Sequence, residues 1–334
     1  MTDSAPGPKP SVGRDDLERA LLGDTPRHTS VEVAGSAGVS LGDARRLWRA
    51  LGFPDAGEDA AFTDADLDAL ALIARLVESK VVDFDTAVRL TRAVGHTVAR
   101  LADWQVITLA ERVEDVEAGE DARGSRLLTA LQIADEVEPA FERLLVYAWR
   151  RHLAAAVGRV EALGAAEEDL MTVHVTVGFA DLVSFTQMSN GLDQDTLGDL
   201  VETFESRAAD IVAGLGGRVI KTLGDSVLFV TENATAGVET ALQIVEAIAR
   251  EDELPDVRVG LASGPVVTRL GDVFGSPVNM ASRLTSVARR NRVIIDGGTA
   301  RRLPRDRFEV RTLTARPLRG FGSVEPVAVR RRWS

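Results

Sequence analysis

No cysteine occurs in this 334-residue chain, histidine occurs only four times, and no apolar run reaches membrane-spanning length. The missing cysteine excludes disulfides, thiolate metal ligands and cysteine nucleophiles. The histidines, His28, His96, His152 and His174, are scattered without zinc-site spacing. A metal in this protein is therefore expected to be hard and carboxylate-bound. Without a run of about 18 apolar residues no membrane span is expected. The opening MTDSAPGPKPSVGRDD lacks the basic-then-apolar layout of a secretion signal. Residues 1–14 read as a disordered tail, and the cytoplasm is the expected location. Basic charge is also in deficit, with a formal net charge of -12. Phosphate binding is largely electrostatic, so no stable nucleic-acid partner is expected, although a local basic site is compatible with that balance.

What is present is a soluble globular composition, 45% hydrophobic and 27% charged. The length allows two or three domains. Residues 15–164 carry helical periodicity, with apolar residues returning at three and four positions in LGDARRLWRALGF, FTDADLDALALIARLVESK and the segment from Phe84. Thr63 ahead of Asp64 and Asp66 marks a helix start. Glycines break the pattern over 116–125, and Pro139 predicts a kink or a new first turn in the helical stretch that follows. From residue 171 the period changes. Val173, Val175, Val177 and Phe179 alternate with polar or small residues, as in a half-buried strand. Helix, hairpin, helix, strand, helix and strand follow, which predicts an α+β unit of the split βαβ, ferredoxin-like kind, with helices against an antiparallel sheet. The arginine-rich tail from 305 to 334 holds short strand-like pieces.

Three stretches carry chemistry. Asp181 follows the first strand in GFADLVSFT, and Asp225 sits at the hairpin tip in RVIKTLGDSVLFV, 44 positions later. On adjacent strands the two carboxylates would share a sheet edge. Two close carboxylates do not both stay ionised without a proton or a cation, and Mg²⁺ with bridging phosphates is a common resolution. The alternative is an aspartate capping the next helix and an aspartate making a turn. The segment LVSFTQMS can bend around phosphates and offer backbone amides. Phe179, Phe185 and Met188 suit packing, and the Ser184 and Thr186 hydroxyls suit local caps equally well. In GDVFGSPVNMASRL, Asn279 and Arg283 lie four apart on a helix opened by Pro277 and so share a face. Such a pair can orient a sugar and neutralise a phosphate, or form an ordinary first turn with a surface arginine. Asp272 stands where a turn residue would also stand.

Taken together, FADLVSFT, IKTLGDSVLF and GDVFGSPVNMASRL resemble, in order, the two metal motifs and the transition-state motif of class III nucleotide cyclases. The likeness is greatest to soluble actinobacterial adenylate cyclases with a helical regulatory half, and it covers about residues 171–330. It implies an N-terminal all-helical regulatory and dimerisation domain at 15–164 and a catalytic domain at 165–334. It further implies that Asp181, Asp225 and the Leu182 carbonyl hold two Mg²⁺ or Mn²⁺ ions per site. Lys221 and Asp272 would read adenine, Asn279 would position the ribose and Arg283 would stabilise the transition state. Phe185, Thr186 and Gly224 would line the substrate site. The expected partners are ATP and a second copy of the chain, with composite sites in a homodimer. Lys221 as donor to adenine N1 and Asp272 as acceptor from the 6-amino group mismatch guanine, whose pattern is reversed.

Two further expectations concern the helical half. In YAWRRHLAAAVGRV, a coupling helix, Tyr147 and Trp149 read as core aromatics, and His96 and His152 are the titratable candidates. The stretch from Ser30 through FTDADLDALALIARL also resembles the helix-turn-helix of a MerR-like DNA-binding domain, with Arg45, Arg46 and Arg49 clustered. Residues 29–90 nevertheless hold 6 basic against 11 acidic residues, so a regulatory module is the preferred reading.

Overall fold

The structure, a computed structural model, describes residues 14–119, 122, 125–162, 172–251, 253–269 and 271–332. Residues 1–13 of the expected tail, the expected boundary at 164/165 and residues 120, 121, 123 and 124 of the glycine-bearing break lie outside the described residues; the tail's last residue, Arg14, opens a helix. The chain divides into two compact units, Met1–Gly158 and Arg159–Ser334.

The first unit is helical: α1 (Arg14–Leu22), α2 (Ser30–Ser36), α3 (Leu41–Leu51), α4 (Asp64–Glu78), α5 (Phe84–Ala118) and α6 (Arg126–Ala162). Its helices start where short polar side chains satisfy free amides. Ser40 accepts the Asp43 N–H at 3.1 Å and Asp83 accepts the Thr86 N–H at 2.6 Å. At α4 the Asp66 carboxylate takes both the N–H and the hydroxyl of Thr63 at 2.8 Å. Val33, Leu47, Trp48, Phe62, Leu70 and Val88 form its core, with Trp48 and Phe62 stacked at 4.4 Å. The α3 arginines are engaged locally. Arg46 pairs with Asp85 at 2.9 Å and lies over Phe84, Arg45 lies 3.5 Å from Asp55, and Arg49 donates to the Arg45 carbonyl.

Of the two alternatives expected at Pro139, the new first turn is not seen: α6 continues through it, because a proline removes one backbone hydrogen bond while its neighbours keep theirs. One expectation for α6 is corrected. Tyr147 and Trp149 are not core aromatics; they are 61% and 59% exposed. Trp149 belongs to a ridge with Phe141, Leu145, Leu153 and Val157, four residues apart along α6 and all exposed. No described helix is long and apolar enough to cross a membrane.

The second unit runs β1 (Thr172–Leu182), α7 (Phe185–Ser189), α8 (Gln194–Gly214), β2 (Arg218–Thr222), β3 (Ser226–Thr231) and α9 (Ala234–Ile248). It continues with β4 (Val257–Arg269), β5 (Asp272–Phe274), α10 (Ser276–Val287), β6 (Arg292–Ile295) and α11 (Gly297–Arg301). Four strands close it: β7 (Phe308–Thr312), β8 (Arg316–Leu318), β9 (Gly322–Val324) and β10 (Val327–Arg331). The main sheet has the order β2-β3-β1-β4-β6-β10-β7, with β5 folded back on β4; β8 and β9 pair separately. Among the first four strands every neighbouring pair is antiparallel, giving the expected βαββαβ core. Beyond it the sheet is mixed rather than antiparallel, because β6 pairs parallel to β4. The chain leaves β4 through β5 and returns over the crossover helix α10, which brings the next strand back in the same direction.

Alternation along the strands gives the sheet two apolar faces. Ala180, Leu182, Val227, Phe229, Val257 and Val259 pack with Phe204, Ala208 and Val212 of α8 and Val238, Ala241 and Ile244 of α9. Val177, Leu228, Val230 and Ala262 pack with Ala281 of α10. Each fully buried large side chain contributes about 1.5–3 kcal/mol, so the helices are held on both faces. A Cβ at Gly260 of β4 would lie 2.5 Å from the Ala281 carbonyl oxygen, with the Thr285 nitrogen nearer still. Only glycine lets α10 lie this close to the strand.

Candidate active site

Asp181 lies within β1, not beyond it, because strands flank it on both sides. It faces Ser226 of β3 and Arg258 of β4. Facing pairs share a side of the sheet, and the alternation puts Asp181, Ser226 and Arg258 on the α10 side. The Leu182 N–H donates to the Asp225 carbonyl at 2.9 Å, tying the hairpin tip to the end of β1. Gly224 makes that tip possible with a backbone φ of 68°. The two carboxylates are thereby neighbours. Burial first, and then the charge of Asp181, hold the Asp225 carboxyl above its ordinary value, partly offset by Arg258.

The alternative assignment of Asp181 as a helix cap is excluded, since Ser184 occupies the cap position of α7. Ser184 itself adopts a left-handed conformation, φ 62°. Phe185 packs against the core beside α8 and α9, while Thr186 is exposed.

Lys221 reaches its position through a β-bulge. Val219 faces Phe229, but Lys221 faces Leu228, so Ile220 is an extra residue in β2. In an unbroken strand Ile220 and Lys221 would point to opposite faces. The bulge turns both toward the α10 side, where Ile220 joins the cluster containing Leu228. There Lys221 Nζ donates to Asp272 Oδ2 at 2.5 Å, the two side chains being 33% and 28% exposed. Asp272 Oδ1 accepts the Val273 N–H at 2.9 Å. The pair keeps ammonium hydrogens and carboxylate lone pairs for a ligand edge.

Asn279 and Arg283 lie on the exposed side of α10, which Gly275 and Pro277 open. Neither side chain makes a hydrogen bond or ion pair among the described residues. Arg258 was not identified from the sequence. Its Nε and Nη2 contact Asp181 Oδ2 at 2.8 and 2.6 Å. The legible signal is a cation interrupting the apolar alternation of VRVGL.

The donor set fits a hard divalent cation. Two carboxylates and backbone carbonyls are oxygen donors, and Asp225 is raised first by burial and then by the neighbouring Asp181 charge, both of which a bound cation would offset. Among the described residues no three histidine or acidic side chains converge, so remaining positions would fall to phosphate oxygens and water.

Residues 170–330 match the adenylate and guanylate cyclase catalytic domain. The chain is 41% identical to an adenylate cyclase of Streptomyces coelicolor, over 99% of this chain and 92% of that one. It is 39% identical to an adenylate cyclase of Glutamicibacter nicotianae, over 96% of this chain and 84% of the relative. A crystal structure of the catalytic core of a rhodopsin-guanylyl cyclase with converted specificity, in complex with ATPαS, is 27% identical. That match has a TM-score of 0.45 and covers 48% of this chain and 97% of the other. With 41% and 39% identity to these two adenylate cyclases over nearly its full length and a catalytic unit carrying these motifs, the chain belongs to the class III adenylate cyclase family.

Proposed function

We propose that the protein converts ATP to 3′,5′-cyclic AMP and pyrophosphate, in the cytoplasm, at composite sites in a homodimer. The observation that carries this reading is the presence of two different pairs, one at a strand end and one on the sheet face that carries Asp181. Asp181 and Asp225 converge at one strand end, and Lys221 and Asp272, 51 residues apart, meet beside the same face. The first pair suits metal and phosphate; the second complements adenine. Lys221 donates to N1 and Asp272 accepts from the 6-amino group, so guanine meets a donor with a donor. Asn279 orients the ribose. Arg283 donates to the α-phosphoryl oxygens as charge builds on them. Phe185, Thr186 and Gly224 bound the phosphate side.

The 3′-oxygen attacks the α-phosphorus, the O3′–P bond forms, and the bond from that phosphorus to the bridging oxygen breaks. Pyrophosphate leaves with the electron pair, and the hydroxyl proton passes to solvent or a phosphate oxygen. Two Mg²⁺ or Mn²⁺ ions, held by Asp181, Asp225 and the Leu182 carbonyl, would activate the attacking oxygen and neutralise phosphate charge.

Lys221 and Asp225 stand four residues apart yet serve opposite ends of an extended nucleotide, which supports division between two subunits. One copy supplies Asp181 and Asp225; its partner supplies Lys221, Asp272, Asn279 and Arg283, and twofold symmetry creates a second site. Residues 165–334 form the catalytic domain and 15–164 the regulatory and dimerisation domain. The local engagement of Arg45, Arg46 and Arg49 supports that reading over DNA binding. The test is to incubate the full chain with ATP and each metal, resolve products by chromatography, and then mix inactive Asp225→Ala and Arg283→Ala proteins. Cyclic AMP from the wild type, and recovered activity in the mixed dimer, are expected. No cyclic AMP with either metal refutes the activity; an inactive verified heterodimer refutes the shared site.

A further inference from the structure

The two carboxylates of the site are not equivalent. Asp225 has no ion pair among the described residues. Asp181 is almost fully engaged. Its Oδ1 accepts the Ser226 hydroxyl at 2.5 Å, its Oδ2 accepts Arg258 Nε at 2.8 Å, and Nη2 stands 2.6 Å from the same oxygen as an ion-pair contact. A carboxylate offers about four lone-pair directions; two accept hydrogen bonds here, and the guanidinium edge covers Oδ2. The arrangement follows from register: Arg258 lies directly opposite Asp181 across β1 and β4. Both side chains are sheltered, 17% exposed for Asp181 and 30% for Arg258. The third guanidinium nitrogen, Nη1, reaches the Ser286 carbonyl at 3.5 Å, so the group is held from the α10 side as well. A charge-assisted hydrogen bond from an arginine to a carboxylate is at the strong end of protein hydrogen bonding.

We propose that Arg258 is a resident cation that competes with the divalent metal for Asp181. Metal loading then exchanges the guanidinium for the ion. The proposal rests on the reading of Asp181 and Asp225 as metal ligands. A divalent ion must approach carboxylate oxygen to about 2.0–2.6 Å. The guanidinium edge blocks the approach to Oδ2, and an ion on the remaining direction of Oδ1 would sit beside the guanidinium charge, which repels it. The protein therefore binds metal more weakly than the bare carboxylate pair would.

The experiment is a Mn²⁺ titration of the full-length protein without nucleotide, with free Mn²⁺ read by electron paramagnetic resonance. Arg258→Gln should lower the Mn²⁺ Kd about tenfold, equivalent to about 1.4 kcal/mol. Arg290→Gln removes the same charge from a side chain that is 71% exposed and paired with Asp256 at 3.3 Å. Its exposed charge is screened, so a change under about twofold is expected. Unchanged or weaker binding in Arg258→Gln overturns the proposal, as does equal tightening in both variants. Should Arg258→Gln not fold, Arg258→Lys keeps the charge without the two-nitrogen contact, and severalfold tighter binding is expected. Unchanged affinity there overturns the competition. Mn²⁺ binding that persists at wild-type affinity in Asp181→Asn/Asp225→Asn instead overturns the underlying metal assignment, so the two failures are distinct.

Discussion

Replacing Gly260 by alanine tests how closely catalysis depends on the seat of α10. The new Cβ would lie 2.5 Å from the Ala281 carbonyl oxygen, about 0.9 Å short of the 3.4 Å at which ordinary contact begins. Of the three nearest atoms, Ala281 O and Thr285 N are backbone atoms of α10 and the third is Thr285 Oγ1, so side-chain rotation alone does not relieve the overlap. The helix itself must move by most of an ångström, carrying Asn279 and Arg283 with it. Overpacking of this sort costs about 1–3 kcal/mol of stability. A displacement near 1 Å lowers turnover about 100-fold. Gly198 is the matched control, since it is exposed within α8 and its added Cβ would meet nothing within 4 Å. Gly198→Ala should stabilise by about 0.5–1 kcal/mol and leave turnover unchanged. The assays are urea denaturation and cyclic AMP production under saturating ATP. A folded Gly260→Ala protein with wild-type kcat would refute the placement of Asn279 and Arg283 in the rate-determining geometry.

Two more outcomes follow from the same site. Because the Asp225 carboxyl is held above its ordinary value, its proton competes with metal, and metal affinity should fall as pH drops through that raised value. In the metal-free protein this group contributes stability below its unfolded-state value, and the contribution is lost as pH rises through the folded value. The rise in Tm on adding Mn²⁺ should therefore grow with pH across that window and be absent in Asp225→Asn; a pH-independent rise in the wild type would contradict it. For base selection, Lys221→Glu combined with Asp272→Cys should reduce the ATP-over-GTP ratio of kcat/KM by on the order of 100-fold. An unchanged ratio removes the pair from the base site.

Much of this protein was legible before its structure, for a local reason. Helical spacing, strand alternation, the Gly224-Asp225 tip and the helix starts at Thr63 and Pro277 depend on a few neighbouring residues, and each element was found close to its expected place. The motif residues were likewise readable, since chemistry restricts residue type at short spacing. Tyr147 and Trp149 mark the limit of that reasoning. Helical periodicity shows that they lie on a helix, but it does not show whether another element covers them. Register was decided by tertiary structure alone. The extra residue at Ile220 is invisible in RVIKT, yet it turns Lys221 to the face where Asp272 waits. Nor does VRVGL reveal that Arg258 will stand opposite Asp181. Strand pairing joins residues 45 to 77 positions apart. A shift of one residue moves every side chain to the other face, so non-local packing fixes which charges meet.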